Sequence, residues 1–459
     1  MRLAAAVLCL WCAVAIGCTT TESAKKPVSP QATTKPDLYA QVAKWVAAGD
    51  TEKAIGGFKE LIAARPDDLQ VRVEFARFLV GSGRYEEARP LLASVLARSP
   101  EMVDAVYTLA ILEGETGHVD KEQAILEELV AKHPENANAN ASLGQIYFSE
   151  RQLDKAKASF QASLRSDPAN LSALMGYGQI LLQEGEAKEA LLQFDKVIDR
   201  EPSFSFAYAG RGQAKAELDE VKGAEQDFTK AIALNPGYYW HYIDRGKLRL
   251  ILENNREGAL ADFSKAIEID PKNFLGYVYR AGLYDDEHEI DEALQDYRTL
   301  LSLRPDYYFV YRPYAILLYM KREWELAREY FIKAYLADQS DPGPQLLAAL
   351  CLLKEGKKQE ATRFLTSILP SIPRTNLFFD LDRLFLDPGT ELTFVDEVQA
   401  EKNPAVQTRF LFYLACYYEL QGRKDLAQKY FLQVQGHHFA GMYEYRLNEW
   451  ELSKYLPAR

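Results

Sequence analysis

The sequence predicts an all-α solenoid, a stack of helical hairpins in which each hairpin contacts its neighbours. Prolines recur in steps of 34 residues, with a single step of 35, at 66, 100, 134, 168, 202, 236, 271 and 305. Two of the units carry nearly the same helix, AEQDFTKAIALNP from residue 224 and ALADFSKAIEIDP from residue 259. A fixed period of this length is typical of stacked repeats, because one small unit cannot bury its own apolar face.

Each repeat is predicted to contain two helices. Ala259, Phe263, Ala266 and Ile267 follow a spacing of i, i+4, i+7 and i+8 and therefore share one apolar helical face. Each proline resists helical continuation and ends the second helix. With proline as position 32, a breaker at position 15 divides the repeat at Gly49, Gly83, Gly117, Gly185, Gly356 and Gly422.

Small and aromatic residues recur at fixed positions of the two helices. Small residues at position 8 and alanine at position 20 allow the two backbones to approach closely. The alanines stand at 54, 88, 156, 190, 224, 259, 293, 327, 361 and 427. Aromatic residues at position 24, predicted to fill the gap toward the neighbouring repeat, stand at 58, 160, 194, 228, 263, 297, 331 and 431.

These positions resemble the tetratricopeptide repeat (TPR) family, which has Gly or Ala at position 8, Gly at 15, Ala at 20, an aromatic residue at 24 and Pro at 32. The resemblance covers residues 37–375 as ten tandem repeats and residues 408–436 as an eleventh. It implies a right-handed superhelix of about eleven repeats. The departures are local: Glu122 replaces Ala in the third repeat, one residue is added near LENNREG in the seventh, and Gln339 replaces Pro in the ninth.

Two segments near the C-terminus fall outside the repeat pattern. Residues 376–407 are predicted to be an irregular or degenerate repeat, and residues 437–459 a capping helix over the exposed end of the stack. The first segment is rich in acidic residues, at 380, 382, 387, 391, 396 and 397. A metal or acid–base site is the alternative, but these residues lack a recognisable ligand spacing. We therefore expect the Phe and Leu side chains to pack and the acidic side chains to remain in solvent.

The N-terminus predicts a lipoprotein signal peptide over residues 1–17. Arg2 precedes a 14-residue apolar run, which is too short for a comfortable transmembrane helix. The ending AIGC resembles the lipobox of bacterial lipoproteins, which implies cleavage after Gly17 and lipidation of Cys18. Residues 18–36 are then a polar tether. The alternative is an ordinary signal peptide that is cut nearby, with Cys18 as a bystander.

Composition and motifs disfavour several function classes. A net charge of −12 and a pI near 5.2 argue against nucleic acid as a partner. The histidines lack cysteine partners and no catalytic motif is present, so we expect no metal, no cofactor and no enzymatic activity. Cys351 and Cys416 lie in apolar helical patterns and are expected to be buried thiols, with a disulfide between them as the alternative.

A stripe at positions 2, 5, 9 and 12 of each first helix is separate from the packing positions. In TPR proteins this stripe lines a groove that holds partner proteins or peptides. The candidate groove residues are Phe206, Gln213, Trp240, Ile243, Lys247, Asp285, Phe309, Arg312 and Tyr319. We expect Trp240, Phe309 and Tyr319 to be exposed near Lys247 and Arg312 as a binding hot spot. The alternative is that these rings belong to the core.

These observations predict a membrane-anchored scaffold that mediates protein–protein interaction in the bacterial cell envelope. Its lipid anchor would lie on the extracytoplasmic side of the inner or the outer membrane, and its partner would be an envelope protein or peptide. The alternative is a receptor-like module that binds a small apolar ligand or a lipid and works with a transporter. An open groove accommodates a large protein surface more readily than it encloses a small molecule, which favours the scaffold.

Overall fold

The computed structural model describes residues 38–252, 254–439 and 441–456, and the predicted signal peptide, with Gly17, Cys18 and the predicted tether, lies outside these residues. The described chain is all-helical and contains 25 α-helices, three short 3-10 segments and no strand. The predicted α-solenoid is confirmed. The described residues divide into two compact units, unit 1 up to residue 254 and unit 2 from residue 255. The division falls within the seventh repeat, beside the extra residue of LENNREG.

Unit 1 contains the first thirteen helices. They are α1 (Leu38–Ala47), α2 (Thr51–Ala64), α3 (Leu69–Gly81), α4 (Tyr85–Arg98), α5 (Val103–Glu115), α6 (Val119–Lys132), α7 (Ala137–Ser149), α8 (Leu153–Ser166), α9 (Leu171–Gln183), α10 (Ala187–Arg200), α11 (Ser205–Glu217), α12 (Val221–Leu234) and α13 (Tyr239–Ile251). Successive helices pack against each other as hairpins, and first helices of adjacent repeats also touch, as α9 and α11 do.

Unit 2 contains the remaining twelve helices. They are α14 (Arg256–Ile269), α15 (Phe274–Asp286), α16 (Ile290–Leu303), α17 (Tyr311–Met320), α18 (Trp324–Ala337), α19 (Gly343–Lys354), α20 (Lys358–Ile368), α21 (Leu377–Leu386), α22 (Glu391–Ala400), α23 (Pro404–Leu420), α24 (Lys424–Gly436) and α25 (Tyr443–Ser453). One apolar core runs through this unit from Ile267 to Leu452.

The prolines of the 34-residue period end helices, as the sequence predicts. The second helix of each of these repeats stops two residues before its proline, as α2 does at Ala64 before Pro66. An Asn or Asp side chain then caps several of the following helices by accepting a backbone hydrogen bond. Asn136 accepts from the backbone N–H of Ala139 at 2.9 Å, for example. Proline and cap together fix where each hairpin starts.

The residue at position 15 has a left-handed backbone conformation in all eleven repeats. Six of these residues are the predicted glycines, with φ between 71° and 85°. The other five are Arg151, Asp219, Asn254, His288 and Arg322, with φ between 51° and 63°. A side chain strains this conformation, so these five repeats keep the turn without its favoured residue. The turn is therefore imposed by packing of the two helices as well as by glycine.

The close packing predicted between paired helices is present. All ten alanines at position 20 are fully buried, and so are most of the aromatic rings at position 24. The ring of Phe194 fills the space between two helical glycines: a Cβ atom added at Gly178 or Gly210 would lie 2.8 or 2.7 Å from it. Small and large residues thus alternate across each interface.

Residues 376–407 form two short helices, α21 and α22, joined by a 3-10 turn, and the first turn of α23, which begins at Pro404. The expectation that the acidic residues of this segment remain in solvent is wrong for Asp382. Asp382 is fully buried because it follows Phe378 by four residues and shares its inward face. Burial raises the pKa of its carboxyl group to about 8, and neither carboxyl oxygen has a hydrogen-bond partner. The side chain is therefore largely protonated at neutral pH.

The two cysteines of unit 2 are buried and unbonded. Burial raises the pKa of both thiols above the ordinary value. The expectation of buried thiols is confirmed, and the alternative of a disulfide between Cys351 and Cys416 is not observed.

Candidate functional site

A groove of about 720 Å³ crosses the first helices of repeats four to seven in unit 1. The groove is lined by the side chains at position 9 of three successive repeats, which are uncharged or basic: Gln179, Gln213 and Lys247. Position 13 adds Glu217 and Ile251, the latter with 69% of its surface exposed. The predicted groove residues Gln213 and Lys247 therefore lie together, on one wall built by parallel first helices.

Asp244 is a groove residue that the sequence analysis missed. It accepts a hydrogen bond from Nε2 of Gln213 at 3.2 Å. Burial raises the pKa of its carboxyl group to about 6, against the lowering effects of Lys247 and Gln213. Asp244 stands at position 6, outside the predicted stripe. Its spacing of three residues from Lys247 was the available signal, since such a pair shares one side of a helix.

Three other predicted residues of unit 1 do not line this groove. Ile243 is buried, with 1% of its surface exposed, so its assignment to the groove is wrong. Phe206 is half-buried, and its ring centroid lies 4.9 Å from Tyr238 and 5.5 Å from His241. Trp240 is half-buried and stacks on Tyr239 at 5.4 Å. Phe206, at position 2, therefore contributes to packing between repeats, because His241 belongs to the first helix of the next repeat.

In unit 2 the C-terminal helix, α25, covers the position-12 end of the corresponding stripe. This helix contacts α24 and α23, as a cap would, but it also contacts α17. The expectation that it covers the end of the stack is therefore incomplete. Its charged side chains pair with groups on the stripe of the eighth and ninth repeats, and its apolar side chains Tyr445, Leu447 and Leu452 belong to the core of unit 2.

Tyr319 and Asp285, both at position 12, are held by α25. Tyr319 is completely buried and donates a hydrogen bond to Oε1 of Glu451 at 2.9 Å. Asp285 is 7% exposed and forms an ion pair with Arg446. The expectation of an exposed Tyr319 is wrong, because the side chain of Glu451 and the ring of Trp450, 5.8 Å away, cover it.

The remaining two predicted residues of unit 2 differ in their surroundings. Arg312 forms an ion pair with Asp341 at 3.0 Å, and its guanidinium lies 5.3 Å from the ring centroid of Tyr443 on α25. Phe309 is 63% exposed and stacks on Tyr308 at 4.2 Å. Of the three aromatic rings predicted as a hot spot, Phe309 is the one with most of its surface in solvent.

The sequence analysis also missed the residues of α25 that occupy the stripe. Glu444, Asn448 and Glu451 are buried, although polar helical faces usually meet solvent. Oε1 of Glu444 accepts from Nε of Arg409 at 3.1 Å, and Oε1 of Glu451 lies 2.9 Å from Nζ of Lys354. Their spacing of four and three residues places them on one helical face, which was the available signal.

The described residues hold no group of three or more His, Cys, Asp or Glu side chains that could bind a metal ion. Within the same residues, every helix falls short of the length and apolar character that crossing a membrane requires.

Family models support the repeat assignment in unit 1. Two models described as tetratricopeptide repeat match residues 46–95, 79–146 and 143–205. No curated protein matches the sequence at a significant level. The family models therefore support tetratricopeptide repeats from residue 46 to residue 205, and proteins with such repeats mediate protein–protein interaction.

The solved structures that this chain resembles are shorter than it is. A tetratricopeptide repeat protein from Parabacteroides merdae is 21% identical, with a TM-score of 0.37, over 51% of this chain and 92% of that one. MamA from Desulfovibrio magneticus is 18% identical, with a TM-score of 0.33, over 37% of this chain and 96% of that one. YrrB, described as having an unusual peptide-binding site, is 20% identical, with a TM-score of 0.34, over 40% and 95%.

Proposed function

We propose that this protein is a lipid-anchored scaffold of the bacterial cell envelope that binds a protein partner through the groove of unit 1. The supporting observation is the groove itself. Gln179, Gln213 and Lys247 present amide and ammonium groups at the same position of three successive repeats. A regular row of side chains on parallel helices fits an extended protein surface, because each repeat can contact one segment of it.

The chemistry of the groove favours a partner with mixed polar and apolar character. Glu217 and Asp244 are acidic, Lys247 is basic, and Leu182 and Ile251 add apolar surface. Polar side chains beside a small apolar patch are typical of protein interfaces. A small apolar ligand or lipid, handed to a transporter, is the second candidate, supported by the exposed side chain of Ile251.

Site-specific photo-crosslinking distinguishes a groove partner from incidental contacts. A photoreactive amino acid at Gln213 is expected to crosslink one protein in intact cells. The same amino acid at Gln226, an exposed glutamine on the second helix of the same repeat, is the matched control. Equal crosslinking at both positions, or crosslinking to lipid alone at Gln213, would contradict the protein-partner proposal and favour the second candidate in the lipid case.

The anchor is tested separately. Cys18→Ser removes the thiol that lipidation requires, so the chain should no longer partition into the detergent phase. Ala15→Leu, which brings the AIGC segment closer to the usual lipobox, is the matched control and should keep that partitioning. If the Cys18→Ser variant partitions into detergent as the unsubstituted protein does, the lipoprotein assignment is wrong and an ordinary signal peptide remains.

A further inference from the structure

The buried face of α25 combines charged, amide and apolar side chains, as a peptide bound in a specific site does. Glu444, Asn448 and Glu451 are 3%, 0% and 0% exposed, and they stand beside the buried Leu447 and Leu452. A helix that only covers an apolar end of a stack needs aliphatic side chains, since burying charged groups costs free energy. The buried charges of α25 therefore indicate recognition by specific groups in unit 2.

Three charged residues of α25, Glu444, Arg446 and Glu451, have counterparts on other helices of unit 2. Glu451 meets Tyr319 of α17 and Lys354 of α19, each at 2.9 Å. Arg446 pairs with the carboxylate of Asp285 on α15, and one of its nitrogens also donates to the Asp285 carbonyl at 3.3 Å.

The other end of α25 is held in the same way. Glu444 meets Arg409 of α23 at 3.1 Å, and the hydroxyl of Tyr413 donates to it at 3.3 Å. The Asn448 side chain donates to the Phe431 carbonyl at 3.1 Å. Contacts on four first helices and on α24 show that α25 lies along the stripe and does not rest on one hairpin.

These counterparts occupy the same repeat positions as the lining of the open groove in unit 1. Asp285 and Tyr319 stand at position 12 and Lys354 at position 13. In unit 1, Ala216 at position 12 and Glu217 at position 13 line the open groove. One surface of the repeat is therefore filled by a helix in unit 2 and open in unit 1.

Some buried polar atoms of α25 lack a hydrogen-bond partner. Oε2 of Glu444, Nε of Arg446 and Oδ1 of Asn448 are buried without a hydrogen-bond partner. Burial raises the pKa of Glu451, but Lys354 and Lys454 outweigh it and hold the pKa below its ordinary value. Buried ion pairs contribute little net stability, because the cost of desolvating both charges offsets their attraction. A competing helix with the same charges could therefore replace α25.

We propose that the stripe of unit 2 is a helix-binding site, with α25 as its resident ligand, for a partner helix that carries the same face. That face has acidic residues seven positions apart with an amide between them, an arginine two positions after the first acidic residue, and an aromatic residue just before the second. The observation that carries the proposal is the charge complementarity of Asp285 and Lys354 with Arg446 and Glu451. It is independent of the groove in unit 1.

The probe for this site is a fluorescent peptide with the sequence of residues 441–456, titrated into the full chain. Against the unsubstituted protein it should bind weakly, because a tethered helix competes at an effective concentration on the order of millimolar. Glu451→Lys in the full chain places like charges beside Lys354 and should release α25. We expect this variant to bind the peptide at least about tenfold more tightly.

Two controls show that the peptide occupies the stripe. Adding Lys354→Met to the Glu451→Lys chain should weaken peptide binding about tenfold or more, because the peptide glutamate loses its counterpart. A peptide with Glu451→Lys should also fail to bind tightly. If Glu451→Lys does not fold, Arg446→Ala is the second host, since it removes one ion pair and leaves the rest of α25 intact.

Amide hydrogen exchange makes the test decisive. Fast exchange of the α25 amides, as in an unfolded segment, shows that a variant has released this helix. If the peptide binds such a variant no more tightly than it binds the unsubstituted protein, the proposal is overturned. Tight binding that Lys354→Met leaves unchanged would overturn it as well. A dimer of the unsubstituted chain that the peptide dissociates would support the site, with α25 of a second copy as the occupant.

Discussion

Tyr319 and Glu451 are 132 residues apart in the chain and meet through a buried hydrogen bond of 2.9 Å. The bond joins position 12 of the ninth repeat to the last helix, and Lys354 reaches the same carboxylate from the tenth repeat. A repeat array alone does not require such a distant contact, because each repeat needs only its neighbours. This contact ties the C-terminal helix of unit 2 to the stripe of the ninth repeat.

Tyr319→Phe should lower the free energy of unfolding by about 1.5–3 kcal/mol, the usual contribution of a hydrogen bond to a charged group. Glu451→Ala should cost more, because it removes the same hydrogen bond and also leaves the buried Lys354 with Glu419 as its one remaining carboxylate partner. Chemical denaturation followed by tryptophan fluorescence measures both. Tyr308→Phe, at a tyrosine with 49% of its surface exposed, is the control and should change little. A larger loss for Tyr319→Phe than for Glu451→Ala would contradict this ranking.

Gly178→Ala and Gly210→Ala should each lower the free energy of unfolding by about 1–3 kcal/mol, the usual cost of overpacking. The new methyl group would press on the ring of Phe194 from either side. Gly56→Ala is the matched control, since its Cβ would meet no atom within 4 Å and should add about 0.5–1 kcal/mol through helix propensity. Equal effects at the buried and the open glycine would refute the packing described for Phe194.

Position 15 allows a test with opposite signs in adjacent repeats. Arg151→Gly should stabilise the protein by about 1 kcal/mol, because φ of 61° strains a residue with a side chain. Gly185→Ala should destabilise it by about the same amount, since its φ is 76° and the added methyl group meets open space. Thermal unfolding of the two variants measures both shifts. Shifts of the same sign would show that backbone strain does not govern this turn.

Asp382 predicts a pH dependence of stability. Its pKa is about 8 in the folded chain, against about 3.9 for an unfolded aspartate. Because this pKa is raised, the folded state binds more protons than the unfolded state between pH 4 and 8. The stability that the protonated Asp382 contributes is therefore fully present below pH 4. It is lost as pH rises toward 8, by about 1.4 kcal/mol per pH unit.

Asp382→Asn should therefore remove the loss of stability between pH 4 and 8. Unfolding free energies measured across that range in urea give the slope directly. Asp396→Asn, at an exposed aspartate in the same segment, is the control and should leave the slope unchanged. The same slope in the Asp382→Asn variant as in the unsubstituted chain would show that another group is responsible.

Much of the fold was predictable because the repeat is a local pattern. Pro66 and its counterparts end helices through backbone geometry, and Ala224 and Ala259 are buried because only a small side chain fits between paired helices. The groove was predictable in part. Gln213 and Lys247 line it as expected, whereas Ile243 and Tyr319 are buried. Ile243 and Tyr319 stand at positions 5 and 12 of their repeats, but the exposure of a side chain depends on which other residues cover it.

The sequence by itself determined the helical hairpins, their 34-residue period and the surface on which a groove can form. These features depend on interactions within one repeat or between adjacent repeats, and such interactions leave a periodic pattern. Only the tertiary structure decided that α25 covers the position-12 end of the stripe in unit 2 while a groove in unit 1 is open. Arg446 and Asp285 are 161 residues apart, and a contact over that distance leaves no period in the sequence.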